Sequence, residues 1–266
     1  EGDTPVAKEE SRRTACDYVF PGVVLVCYLS WQIFHFLQIR NASYRQQSEI
    51  AWKEGHFFEA IRLIEQTGKQ TPSLINQGLL YIQYFQMTKE QVYFHAAQRE
   101  LQKAYRQQSG DVQIRYLQGQ LYIYAKEFDK AYLIIEKLAK AYPKNSLYLS
   151  ALSDILYQQG NKEAALQPLA KAIRYMPRLL TGPRIRNLQQ IDPAFYQVLR
   201  ESLAAWKPTE EDGPADWARY GYIARWCGEE AVSDVYLHKA LDALPNLVVP
   251  WHLLEDDRKY RLLLYG

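Results

Sequence analysis

The chain has 266 residues, 48% of them hydrophobic and 23% charged, with a formal net charge of +2. That composition fits a folded protein of one or two domains and excludes a disordered or collagenous chain, while the near-neutral balance excludes a general attraction to nucleic acid. Three cysteines, Cys16, Cys27 and Cys227, are too few and too far apart for a disulfide framework or a zinc site.

The chain opens on Glu1 rather than Met, so a longer parent chain is expected. Residues 1–17 form a polar segment. Tyr18 to Ile39 then runs for 22 positions without Asp, Glu, Lys or Arg. As a helix this stretch spans about 33 Å, close to the hydrocarbon thickness of a bilayer. A transmembrane helix is therefore predicted over 18–40, with membrane contact through 18–39. Arg12 and Arg13 precede it and Arg40 and Arg45 follow it, which leaves its orientation open. Gln32 and His35 support a second reading, a buried helix packed on the rest of the chain. A cleaved signal is disfavoured by the 17 polar residues in front and the absence of a small-residue cleavage site behind. Asn41-Ala42-Ser43 has the form of a glycosylation acceptor.

From residue 41 the pattern becomes helical throughout. Apolar residues recur at spacings of three and four, in segments broken by Gly, Asn, Asp or Pro. The segments come in pairs with a measurable period. Ala131 to Ala165 is 34 residues, and so is Pro143 to Pro177. A period of 34 suits two antiparallel helices that approach at small residues and stack pair on pair.

On these residues the chain resembles the tetratricopeptide repeat family. The units 112–145 and 146–179 carry the pattern best. Unit 41–74 has Gly55, Ala60 and Pro72 at matching places, and unit 75–111 is degenerate, with Ala97 and Ala104 and a three-residue insertion. Its second helix is expected to start at Thr88-Lys89-Glu90-Gln91, which fits a capping box. A fifth unit, 214–247, has Trp217, Gly221, Gly228, Ala240 and Pro245 in register, with Ser233 in place of the usual Ala. The resemblance implies an all-α, right-handed α-solenoid: four pairs over 41–179 and a fifth pair over 214–247. Between them, 180–213 is expected to be an irregular break, a helix and a connector, with Asp192 capping a helix that begins at Pro193. Residues 248–266 are expected to form a capping helix opened at Pro250.

The sequence offers no catalytic constellation. His35, His56, His95, His238 and His252 lack metal-ligand spacing, and no phosphate loop or nucleophile motif is present. Cys227 reads as a small buried residue, and Glu210-Glu211-Asp212 as a solvated loop. No enzyme, cofactor, metal or nucleic-acid partner is expected. The family resemblance instead implies a concave surface that binds a protein or peptide. On its register the inward positions include Arg45, Glu49, Gln86, Tyr116, Gln120, Ile123, Asp154, Tyr157, Tyr222 and Arg225. Members that grip a chaperone's C-terminal carboxylate use Lys, Asn and Arg where this chain has Arg45, Glu49, Gln83, Gln113 and Leu117. Only Arg45 suits that task, and Glu49 would repel the carboxylate.

Short segments add a second resemblance. Met176-Pro177-Arg178, Asp192-Pro193 and Leu244-Pro245-Asn246-Leu247 are similar to the repeat tails of bacterial polytopic membrane proteins such as O-antigen ligases. It implies a protein-interaction scaffold anchored at the bacterial inner membrane, with the side of the repeat domain undecided. The alternative it implies is the regulatory or substrate-guiding tail of a glycan ligase or glycosyltransferase whose catalytic part lies upstream.

Overall fold

The computed structural model describes residues 6–209 and 211–245, with side chains beyond residue 22 except Val24 and Leu25. The expected helix at Pro250 lies outside the described residues. Twelve α-helices and no strand occur among the described residues. In order they are α1 (Val6–Lys53), α2 (Phe57–Glu65), α3 (Thr71–Thr88), α4 (Gln91–Gln107), α5 (Val112–Tyr124) and α6 (Phe128–Ala141). There follow α7 (Ser146–Gln158), α8 (Lys162–Tyr175), a 3₁₀ turn at Pro177–Thr181, α9 (Pro183–Ile191), α10 (Pro193–Ala204), α11 (Pro214–Cys227) and α12 (Glu230–Ala243). They form two compact units, Glu1–Gly110 and Asp111–Gly266.

Successive helices pack in pairs: α1 with α2, α3 with α4, α5 with α6, α7 with α8 and α11 with α12. The contact between partners depends on one small residue in the first helix. A Cβ on Gly119 of α5 would stand 2.5 Å from Ile135 Cδ1 of α6, and one on Gly221 of α11 would stand 2.7 Å from Leu237 Cγ of α12. Those side chains occupy the space a larger residue would need. The position 34 residues after Gly119 is Ser153, fully buried in α7. Twelve residues further on in each of these pairs sit Ala131 and Ala165, also fully buried. In the first unit, Ser48 of α1 faces Ala60 of α2 and donates a hydrogen bond from Oγ to its carbonyl oxygen at 2.8 Å.

Polar residues set the helix starts. Asp111 accepts from the N–H groups of Gln113 and Ile114 at 2.7 and 3.2 Å, and Asn145 from those of Leu147 and Tyr148 at 3.0 and 3.4 Å. Asn161 accepts from Ala164 N–H, and Asp192 from Phe195 N–H, both at 3.2 Å. Each satisfies donors that a helix start leaves unpaired. Gly160 takes φ +83° in the turn between α7 and α8, a region open to glycine without a Cβ penalty.

Four expectations change. First, α1 is one helix of 48 residues and has no break at residue 40, because nothing between Val23 and Lys53 interrupts helical hydrogen bonding. Second, no capping box forms at Thr88. That residue ends α3, its hydroxyl donates to Tyr84 O, and α4 starts after Glu90 with no side-chain cap. Third, the segment expected to be irregular holds α9, started by Pro183 at its first position. Fourth, Asn41 is buried within α1, so its Asn-Ala-Ser sequence is not exposed as a glycosylation acceptor.

No helix is long and apolar enough to cross a membrane among the described residues. The side chains of 18–22, 24 and 25, part of the apolar stretch, lie outside them. Those described in that stretch face solvent: Val26, Ile33, Phe36 and Ile39 are each at least 60% exposed, and Trp31 and Phe34 more than half.

Candidate functional site

In the first unit, α1 and α3 line a cleft of about 280 Å³. Arg45, Glu49, Trp52 and Lys53 come from α1, and Asn76, Leu79, Leu80 and Gln83 from α3. These are first helices of their pairs, and Ile64 of α2 adds to the lining. Arg45 Nε donates to Asn41 O at 3.4 Å, one turn back. Gln86 sits exposed near the end of α3 and is not in the cleft lining.

The second unit gathers four of the expected positions in one place. Tyr116, Gln120 and Ile123 of α5 and Asp154 of α7 line a pocket of about 160 Å³, together with Tyr124, Leu147, Ser150 and Ala151. Gln120 Nε2 donates to the Tyr116 hydroxyl at 3.0 Å. Burial, reinforced by the neighbouring Tyr124, pushes the Tyr116 hydroxyl up to about 12. Tyr116 therefore stays a neutral phenol at ordinary pH. Burial raises the Asp154 carboxyl, and the Arg184 guanidinium beside it pulls the other way.

Arg184 reaches this site from α9. It pairs with Asp154 Oδ1 at 2.7 Å, and donates to Ser150 Oγ at 2.6 Å and to Ser153 Oγ at 3.0 Å. Sequence reasoning misses Arg184, Tyr124 and Ser150. One signal was available: Arg184 lies 34 residues after Ser150, one period along.

The remaining expected positions are engaged elsewhere. The Tyr157 hydroxyl donates to Asp192 Oδ2 at 2.8 Å, and its ring meets Phe195 at 5.2 Å. Arg225 pairs with Asp234 of α12 at 3.0 Å. Tyr222 lines a mainly apolar groove of about 360 Å³ with Tyr175, Met176, Pro177, Arg178, Ala218 and Arg219. Cys227 is buried, and burial pushes its thiol up to about 11, so it is a poor nucleophile. No group of three His, Cys, Asp or Glu capable of holding a metal occurs among the described residues.

No family model matches the chain, and no curated protein matches it. Solved structures do. MamA from Desulfovibrio magneticus RS-1 is 12% identical over 78% of this chain and 97% of its own, with a TM-score of 0.44. MamA AMB-1 is 15% identical over 77% and 99%, with a TM-score of 0.40. A tetratricopeptide repeat protein from Parabacteroides merdae is 14% identical over 83% of this chain and 70% of its own, with a TM-score of 0.41. At such identity the likeness concerns architecture alone.

Proposed function

We propose that this protein is a protein–protein interaction scaffold that holds a peptide or partner helix against the first helices of its hairpins. The observation that carries this is the lining of the α5–α7 pocket. Tyrosine, amide and hydroxyl groups converge there with one carboxylate, on rigid helices. Tyrosine supplies contact area and a polar tip, which suits an interface. The α1–α3 cleft presents Trp52, Gln83 and Asn76 on the same kind of face.

The first half of α1 supports a membrane anchor. Among its described side chains, Val23, Val26, Leu29, Ile33, Phe36 and Ile39 are all exposed. Its polar groups are locally occupied: Gln32 Nε2 donates to the Tyr28 hydroxyl at 2.9 Å, and the His35 ring packs edge-on against Trp31 at 4.4 Å. Exposed apolar side chains are costly in water and would be covered by lipid. A bacterial inner membrane is the location this reading favours.

A peptide library displayed on phage, selected against the full chain, tests the scaffold reading. Selected peptides should lose binding with Tyr116→Ala and Gln120→Ala and keep it with Leu133→Gln on the exposed face of α6. Equal binding to all three variants would refute the inner-face site. Flotation with phosphatidylcholine vesicles tests the anchor. The chain should float and resist a carbonate wash, and Ile33→Asp with Phe34→Asp should abolish this; a wild-type chain that stays at the bottom of the gradient would refute it.

A further inference from the structure

We infer that the α5–α7 pocket takes one basic side chain, lysine or arginine, from a bound peptide. This rests on the scaffold reading and narrows it to one kind of anchor residue.

Charge points to a cation. Asp154 is the only charged residue in the pocket lining, and its side chain is 44% exposed. Arg184, its partner, does not line the pocket. It approaches from α9 and is itself fixed by Ser150 and Ser153. The ion pair engages Asp154 Oδ1, and an ionised carboxylate can accept on both of its oxygens. The carboxylate is thus held in place by one cation and remains able to accept from a second. A carboxylate with two cationic neighbours is an ordinary arrangement, and a charge-assisted hydrogen bond is stronger than a neutral one.

Shape and surroundings agree. A volume of about 160 Å³ is well below the roughly 300–1,000 Å³ of small-molecule sites, and suits a single side chain. Ile123 and Leu147 offer apolar surface for an aliphatic stem. Tyr116 and Tyr124 offer aromatic rings, which attract a cation through their negative faces. Both phenols lie close enough to Asp154 for its charge to raise them, so the rings and the carboxylate share one locality. An anionic side chain would meet Asp154 with no free cation in the lining. An apolar one would cover the exposed part of the carboxylate and offer it no further hydrogen bond.

The test uses the full chain in neutral maltoside micelles, with tyrosine rings carbon-13 labelled. Butylguanidinium, butylammonium and butyrate are titrated separately, and the Tyr116 and Tyr124 resonances are followed. Both cations should shift them saturably, and butyrate should not. Asp154→Asn should weaken the cations by about tenfold, the size of one charge-assisted hydrogen bond. Tyr124→Leu keeps the carboxylate and should weaken the cations about threefold through loss of one ring, a check independent of how well Asp154→Asn folds. Wild-type binding of butyrate as strong as that of the cations would overturn the inference, as would cation binding unchanged in both variants. Phage peptides that bind the inner face without enrichment of Lys or Arg would overturn it too, while leaving the scaffold reading standing.

Discussion

The pairs α5–α6 and α7–α8 and the segment α9–α10 lie in the same unit and all rest on buried apolar residues, but they differ in the polar ties added to that packing. The regular pairs are joined by apolar contacts at small residues: Ile135 over Gly119, with Ala131 and Ala165 fully buried between helices. Helices α9 and α10 do bury Leu188, Phe195 and Leu199, but their attachment to the neighbouring pairs is studded with polar ties. Arg184 binds Ser150, Ser153 and Asp154. Lys162 and Tyr157 meet Asp192, and Arg200 donates to Cys227 O at 2.6 Å. The period supplies close packing where it is kept. Where it lapses, long side chains bridge gaps that small residues no longer close. A polar bridge also leaves charge near the surface, and Asp154 of one such bridge lines the α5–α7 pocket.

The comparison predicts its largest effect in the regular pairs. Ile135→Ala removes a fully buried side chain and leaves a cavity over Gly119, which should cost about 3 kcal/mol in a urea melt. Arg184→Leu should cost less, about 1–2 kcal/mol. The ion pair with half-exposed Asp154 contributes little, and the loss comes chiefly from the buried Ser153 hydroxyl left without its donor. Hydrogen exchange should then quicken in 183–204 and stay unchanged in 128–141. A uniform increase over both segments would erase the distinction.

Acid should separate two carboxylates within this region. Hydrogen bonds from Lys162, Tyr157 and the Phe195 N–H hold the Asp192 carboxyl below its ordinary value. A lowered carboxyl contributes stability above its unfolded pKa of about 3.9, and that contribution is lost as pH falls through the lower folded value. Asp154 has the opposite sign. Burial raises it, against the pull of Arg184, so its ionised form carries a penalty that acid relieves. Carbon-13 NMR of the two carboxyl groups should show Asp154 taking its proton at the higher pH. The reverse order would mean that the ties to Asp192 are weaker in solution than their geometry implies.

The repeat was legible because it is written in small residues at fixed spacing. Ala131, Ala165, Gly119 and Ser153 fall one period apart, and a helix pair needs nothing else to close. The caps at Asn161 and Asp192 were legible for the same reason: each acts within three residues. Thr88 misled because the same residue types can also end a helix: its hydroxyl donates to Tyr84 O and accepts from Glu90 N–H rather than from Gln91 N–H. Tyr116, Gln120, Ile123 and Asp154 could be placed on one face by register. Their partner Arg184 could not, because its side chain crosses from a helix the sequence pattern left irregular. Tyr157 was assigned to the same face, but Asp192, 35 residues on, takes its hydroxyl. Which of two reachable partners a tyrosine chooses is a tertiary matter.

The smallest effect expected is also the sharpest control on the comparison. Leu133 of α6 is 61% exposed and Ile191 at the end of α9 is 78% exposed. If the two regions differ only in how their inner contacts are made, outer residues in both should behave alike. Leu133→Gln and Ile191→Gln should each shift stability by no more than about 0.5 kcal/mol. A loss above 1 kcal/mol confined to Ile191→Gln would show that the end of α9 is covered in solution. The polar ties would then be only part of what holds this segment. Equal, near-zero shifts would leave the inner contacts as the sources of stability, an apolar seam in one region and an apolar core with added polar bridges in the other.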